Sequence, residues 1–457
     1  MGLACAKVLG EQGIAFQGFE LHSDVGGLWD IEGPRSTMYE TAHLISSKTK
    51  TQFADFPMDE AVADYPSHRV MRDYFRAFAD RFDLRRHFRF GAEVLRCEPL
   101  AEGWRVVWRE GGTEHEGRFC GVMIANGTLS EPNQPQFPGE FAGEVIHSAQ
   151  YRHPDQLRGK RVLVVGGGNS GCDIVVDAVH HAACADLSLR RGYHFVPKYI
   201  FGRPADTIGG AIRLPMWLKR RVDGMILRWF TGDPQRVGFP APDHALYQSH
   251  PVVNSLAIFH AGHGDIRIRP DVARLEGADV VFTDGSRAPY DLIIAATGYK
   301  LHYPFIDKGL LNWQGAAPHL FLNCLHPQRD DLFVMGMVEA TGLGWQGRHA
   351  QAEMVARYIK GLRTGHPAAA ALRAEKAAGF QRVTGGMDYV DLPRMAYYVN
   401  KATYRKAVTG WVRRHQRAVS IAGGLLLVAT GVLLVTGWWE DLVISMQHWI
   451  GGFEAPL

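Results

Sequence analysis

Gly166, Gly168 and Gly171 are spaced Gly-x-Gly-x-x-Gly and directly follow an apolar run at residues 161–165. Glycines at those places permit a tight turn and a close approach of backbone to a pyrophosphate. The helix that starts there, at Asn169, Ser170 and Gly171, offers free N–H groups to the negative charge. This is the chemistry of dinucleotide binding. In such sites an acid about 20 residues on holds the ribose 2′-hydroxyl. Here Leu189 stands 18 residues beyond Gly171, followed by Arg190 and Arg191. A carboxylate would repel a 2′-phosphate, whereas a guanidinium fork pairs with it. The pattern predicts NADPH rather than NADH; the competing reading is two solvated surface charges.

A second set of residues offers related chemistry. Gly2 opens a stretch with helical character, and Glu20 ends an apolar run 18 residues later. They fit the third glycine and the ribose-binding acid of another dinucleotide turn. Gly26, Gly27, Leu28 and Trp29 follow, and the paired glycines let that loop lie along a pyrophosphate. The strand and first two glycines of this turn would precede Gly2, so the natural protein is expected to begin upstream. The competing reading of residues 26–27 is an ordinary Gly-Gly turn.

The elements that must position these groups alternate between strands and helices. A helix is predicted over residues 3–13 and a strand over 15–20. Ser67 caps a helix carrying Val70, Tyr74, Phe75, Phe78 and Phe82 at helical spacing. Residues 88–119 read as an antiparallel meander. Apolar strands follow at 121–125, 161–165, 185–189, 266–269, 280–282 and 291–296, the last running into Thr297-Gly298. The predicted class is α/β, with two Rossmann-like dinucleotide-binding domains. The first is discontinuous, residues 1–152 and 288–400, and the second is inserted as residues 153–287. Residues 204–251 are irregular and partly helical, with aromatic side chains that cover a site.

Composition narrows the remaining options. The net charge of +3, without runs of like charge, argues against nucleic acid. The six cysteines form no Cys-x-x-Cys pair, and the 21 histidines show no metal-ligand spacing, so no metal site is predicted. No signal peptide is legible, and nothing sets an oligomeric state. Residues 418–439 contain no charge; as a helix they would span about 33 Å, enough for a bilayer core. Trp438 and Trp439 would mark an interface, with Arg413, Arg414 and Arg417 on the near side and Glu440 and Asp441 on the far side. A single-pass C-terminal transmembrane anchor is expected, with the catalytic domains on the cytoplasmic side.

Between the two glycine turns stands Phe141-x-Gly143-x-x-x-His147-x-x-x-Tyr151. This resembles the identifying pattern of flavin-containing monooxygenases and their Baeyer-Villiger relatives. Gly26-Gly27-Leu28-Trp29, Asp55-Phe56-Pro57, the stretch from Gly168 to Asp173, and Ala296-Thr297-Gly298-Tyr299 resemble the same family in the same order. The resemblance implies FAD at the first turn and NADPH at the second. It implies reduction of FAD by NADPH and capture of dioxygen as a flavin hydroperoxide. A small soft nucleophile, an amine or sulfide, would then be oxygenated. It places Gln351 after a last glycine-rich loop, Gly342 to Gly347, near the flavin ring, and gives His147 a structural role between domains. Ile45 falls where the family carries an asparagine that holds the nicotinamide and the oxygenated flavin. Isoleucine has no amide, so loss of reducing equivalents as hydrogen peroxide is expected unless His43 or Ser46 supplies the polar contact. The alternatives are Baeyer-Villiger oxygenation of a ketone, NADPH oxidation yielding peroxide, and a non-catalytic redox-binding protein at a membrane.

Overall fold

The structure, a computed structural model, describes residues 1–208, 215–379 and 382–410, with scattered positions between 428 and 439. The apolar run at 161–165 is the middle strand of a five-stranded parallel sheet. Its order is Ile266–Arg269, Cys184–Ser188, Arg161–Val165, Leu292–Ala295, Glu144–His147. Continuous apolar runs arise where both faces of a parallel sheet are covered. Val162 and Val164 pack toward the helices Asn169–His181 and Leu256–His263. Leu163 and Val165 turn the other way, onto Leu275, Val280 and Phe282. Those three belong to an antiparallel layer of Val272–Gly277, Asp279–Phe282 and Arg287–Pro289, with Gly139–Phe141 added at its edge.

Glu144–His147 and Leu292–Ala295 lie outside residues 153–287 yet complete this sheet, so the chain enters and leaves the central layer through strands rather than linkers. Asp291 fixes the exit. Its carboxylate accepts from the Arg161 backbone N–H at 2.8 Å and from the Arg161 guanidinium at 2.7 Å.

The flanking segments build a second body of structure. Helix Gly2–Glu11 buries Ala4, Cys5, Val8 and Leu9 against helix Gly344–Arg363, in one core with Met354, Val355 and Tyr358. The strand expected over 15–20 is reduced to Gly18–Glu20, paired in parallel with Phe88–Phe90. The strand expected over 121–125 is Val122–Ile124, paired in parallel with Leu332–Val334. These two pairs are not hydrogen-bonded to each other. The meander forms as Ala92–Pro99, Trp104–Glu110 and Thr113–Phe119. Helix His68–Arg81 forms after Ser67 and buries Met71, Tyr74 and Phe78, but the Ser67 hydroxyl makes no capping hydrogen bond.

The expected membrane anchor requires a correction. Among the described residues no helix is long and apolar enough to cross a membrane. The physical reason is charge: the 20-residue helix Gly344–Arg363 carries Arg348, Glu353, Arg357, Lys360 and Arg363. The 16-residue helix Met216–Thr231 carries Lys219, Arg220, Arg221, Asp223 and Arg228. Most of 418–439 lies outside the described residues. The C-terminal transmembrane helix, and the single-pass membrane localisation drawn from it, are therefore not supported.

Leu163 has no solvent exposure and locks the parallel sheet onto the antiparallel layer. Leu163→Ala should lower the free energy of unfolding by about 2–5 kcal/mol, read by urea denaturation. A loss below about 1 kcal/mol would show that the two layers are not packed as described.

Candidate functional site

One cavity of about 1700 Å³ is lined by residues of both glycine-rich turns, Gly2 and residues 26–29 of the first and Gly168, Asn169 and Ser170 of the second. At the Gly166 turn the backbone leaves no room for side chains. Gly166 has φ +111°, and a Cβ there would lie 2.6 Å from the Ala296 carbonyl oxygen. A Cβ on Gly171 would lie 1.9 Å from the Gly166 carbonyl oxygen, whereas Gly168 has nothing within 4 Å and lines the cavity. Two glycines thus close the turn and the third leaves space for a ligand. Helix Asn169–His181 starts there with no side-chain cap, so its first-turn N–H groups are available to an anion. Asn169 and Ser170 also line the cavity.

The first turn has the same construction. Helix Gly2–Glu11 has no side-chain cap, and Gly2 is open, with nothing within 4 Å. Glu20 lines the cavity and accepts from the His22 N–H at 2.9 Å; burial raises its carboxyl above the usual range. Such a group is satisfied by hydroxyl donors, which a ribose has. Gly26, Gly27, Leu28 and Trp29 line the cavity beside it. Asp30 braces that turn from behind: it is buried, and it pairs with Arg76 at 2.8 Å and with His22 at 3.2 Å. An uncapped helix start and an open glycine are what a dinucleotide's pyrophosphate requires, and both helix starts supply them; the half-buried Glu20 adds a ribose acceptor on this side alone.

The two arginines separate. Arg191 is held by Asp243 at 2.8 Å. Arg190 is exposed and makes no hydrogen bond or ion pair among the described residues. Both lie outside the cavity wall. Leu189 is next to the turn, since a Cβ on Gly167 would lie 2.5 Å from its Cδ2. Arg190 is the guanidinium left for a phosphate at this end.

Ile45 lines the cavity, half-buried, with His43 and Ser46. The Ser46 hydroxyl is engaged with Thr51 at 2.7 Å, and His43 Nδ1 with the Thr41 carbonyl at 2.8 Å. Thr297 is drawn away from the cavity by the Asn133 carbonyl at 2.7 Å; Gly298, at φ +83°, lines it. Gln351 is wholly buried and is not in the wall. Its amide accepts from Gly336 N–H at 2.9 Å and donates to the Tyr404 hydroxyl at 2.7 Å. His147 accepts from Ala149 N–H through Nδ1 at 3.1 Å. Its Nε2–H then donates to the Gly298 carbonyl at 3.1 Å, tying the Phe-x-Gly-x-x-x-His segment to the strand exit. Burial holds this imidazole below its usual pKa.

Sequence reasoning passed over several groups that the fold brings to the same place. Arg348 lines the cavity and donates to the Val338 and Gly344 carbonyls at 3.3 and 3.4 Å, its pKa lowered by burial. Glu339 and Arg394 form an ion pair in the wall. Asp173 accepts from Tyr39 at 3.0 Å and Asn254 at 2.6 Å, and Asp177 accepts from Thr41 at 2.5 Å and Tyr151 at 2.9 Å. A signal for the last set existed, because Tyr151 and Asp173 both fall in motif segments.

Asp177 gives a test with a defined sign. Burial raises its carboxyl above the usual range, with Thr41 and Tyr151 opposing. The folded state then holds the proton more tightly than the unfolded one. That contribution to stability is fully present below the unfolded value and is lost as pH rises through the folded value. Asp177→Asn keeps an acceptor and cannot ionise, so its stability relative to wild type should improve between pH 4 and pH 7. Asp177→Ala strands two hydroxyls and should lose about 2–3 kcal/mol at pH 7. Urea melts across that range measure both; an Asn variant that worsens as pH rises would show that the carboxylate is favoured by its surroundings.

The chain matches the family described as flavin-binding monooxygenase-like over residues 1–384. It is 30% identical over 386 residues to human flavin-containing monooxygenase 2, covering 79% of this chain and 72% of that protein. Among solved structures it resembles S-allyl-L-cysteine S-oxygenase from Allium sativum, with TM-score 0.61, 19% identity, and coverage of 90% of this chain and 85% of that one. It also resembles cyclohexanone monooxygenase from Rhodococcus sp. Phi1 bound to NADP+, with TM-score 0.64, 20% identity, and coverage of 91% and 95%.

Proposed function

The chain belongs to the flavin-binding monooxygenase-like family, and on that premise we propose how its own residues divide the work of an FAD- and NADPH-dependent monooxygenase. The carrying observation is that two uncapped, glycine-lined helix starts open onto one cavity. Gly2, Glu20 and residues 26–29 hold FAD. Gly166, Gly168, Asn169, Ser170 and Gly171 hold the NADPH pyrophosphate, and Arg190 takes its 2′-phosphate while Arg191 stays with Asp243. Gly298 and the loop before Gly344 border the flavin. The FAD domain is residues 1–152 with 288–400, and the NADPH domain is 153–287, joined through the strands Glu144–His147 and Leu292–Ala295. Bound FAD supplies the hydride acceptance and the activation of dioxygen; the protein supplies position and exclusion of water. The substrate is a small amine or sulfide.

Ile45 favours a second outcome at the same site. It stands in the cavity wall without an amide, and Ser46 beside it already has a partner. Part of the reducing equivalents taken from NADPH then passes to dioxygen and leaves as hydrogen peroxide.

Three measurements test this reading. Turnover with NADPH and labelled dioxygen should place one labelled oxygen atom in a small tertiary amine or thioether; products carrying only solvent oxygen would refute it. Arg190→Ala should reduce the preference for NADPH over NADH by about one to two orders of magnitude, since a charge-assisted hydrogen bond is worth about 1.5–3 kcal/mol. Equal losses with both nucleotides would remove Arg190 from the 2′-phosphate site. Ile45→Asn should lower the peroxide released per NADPH consumed, and an unchanged ratio would assign that leak to another position.

A further inference from the structure

His250 lies in the cavity wall between the two sites, and the established family chemistry does not account for its surroundings. Its Nδ1 meets the Tyr398 hydroxyl at 3.0 Å, and that hydroxyl meets Thr341 Oγ1 at 2.7 Å. Thr341 opens the loop that leads into helix Gly344–Arg363 and also lines the cavity. On the other side, His250 begins a segment clasped by the nucleotide turn. Asn169 donates to the Pro251 carbonyl at 3.3 Å and accepts from Val253 N–H at 2.7 Å, and Asp173 accepts from Asn254 at 2.6 Å. The imidazole therefore stands where a ligand leaving the Gly168–Ser170 turn for the Thr341–Gly344 loop must pass. Arg190 lies outside the cavity wall.

Its chemistry suits an uncharged contact. Burial, aided by Arg394 and opposed by Glu339, depresses the His250 pKa to about 4, so the ring is neutral at physiological pH. When Tyr398 donates to Nδ1, the ring proton sits on Nε2, the nitrogen not engaged by Tyr398. A neutral N–H fixed in this way can donate to a carbonyl or sugar oxygen without attracting a free anion.

We propose that His250, oriented by Tyr398 and Thr341, binds the nicotinamide-riboside half of NADP(H) and positions it against the Thr341–Gly344 loop. Tyr398 is a positioning residue, acting through the imidazole. This inference rests on the nucleotide assignment made above.

Binding to the full chain, measured by calorimetry, separates the contact from a structural role. The probes are NADP+ and adenosine 2′,5′-bisphosphate, which keeps the adenosine end and lacks the nicotinamide half. His250→Ala should weaken NADP+ by about tenfold, equivalent to about 1.4 kcal/mol, and leave the bisphosphate within about twofold. Tyr398→Phe, which keeps the ring and removes only the hydroxyl, should weaken NADP+ by a smaller factor in the same direction, again sparing the bisphosphate. Unchanged NADP+ affinity in His250→Ala would overturn the proposal. Equal loss of both ligands would also overturn it, by showing that residue 250 acts through the Asn169 clasp. If the wild-type chain bound neither ligand, the nucleotide assignment itself would fall, and this inference with it.

Discussion

Two carboxylates one turn apart on a single helix, the half-buried Asp173 and the buried Asp177, set the shape on which everything else depends. A carboxylate taken out of water is costly unless its oxygens are met by donors. Four donors meet these two, from three separate stretches of chain: Tyr39 and Thr41, Tyr151, and Asn254. The Tyr39 and Tyr151 rings pack together with centroids 5.6 Å apart. The need to satisfy two acids on the helix behind the Gly166 turn thus pulls the segment carrying Ile45 against that helix. It also seats residues 250–254 beside the turn. Removal of Asp177 would release Thr41 and Tyr151, and removal of Asp173 would release Tyr39 and Asn254.

The consequence for function is geometric. With both walls held, the helix starts at Gly2 and Gly168 face a common space rather than two separate grooves. Hydride transfer between nucleotides needs such a shared, dry space, because the reacting ends must touch while the charged ends stay bound. Charge is distributed accordingly. Glu20 lines the cavity, Arg190 stands unpaired outside its wall among the described residues, and Ile45 and His250 share the wall with the Glu339–Arg394 pair. Arg348 and the Glu339–Arg394 pair stiffen the loop between them.

Much of this was legible in the sequence, where local chemistry dictates local structure. The Gly-x-Gly-x-x-Gly turn follows from steric need, and the apolar runs at 161–165 and 291–296 follow from burial on both sheet faces. Other features depend on contacts that spacing cannot reveal. Nothing local distinguishes Arg190 from Arg191; the difference is Asp243, 52 residues away. Gln351 was expected near the flavin ring, yet its two amide ends are taken by Gly336 and Tyr404. His250 and Tyr398 are 148 residues apart and met no motif. The uncharged stretch at 418–439 satisfied a length and hydropathy criterion for a membrane span. No described helix meets that criterion, since the long ones carry charged side chains along their length.

The central claim is that the two nucleotide walls share one cavity in which NADPH delivers hydride to FAD. Rapid mixing of FAD-loaded protein with NADPH in the absence of oxygen tests it directly. The account predicts that the oxidised flavin absorbance bleaches at a rate that saturates with NADPH and slows when the transferred hydrogen is deuterium. A flavin that dithionite reduces fully but NADPH leaves oxidised would contradict it.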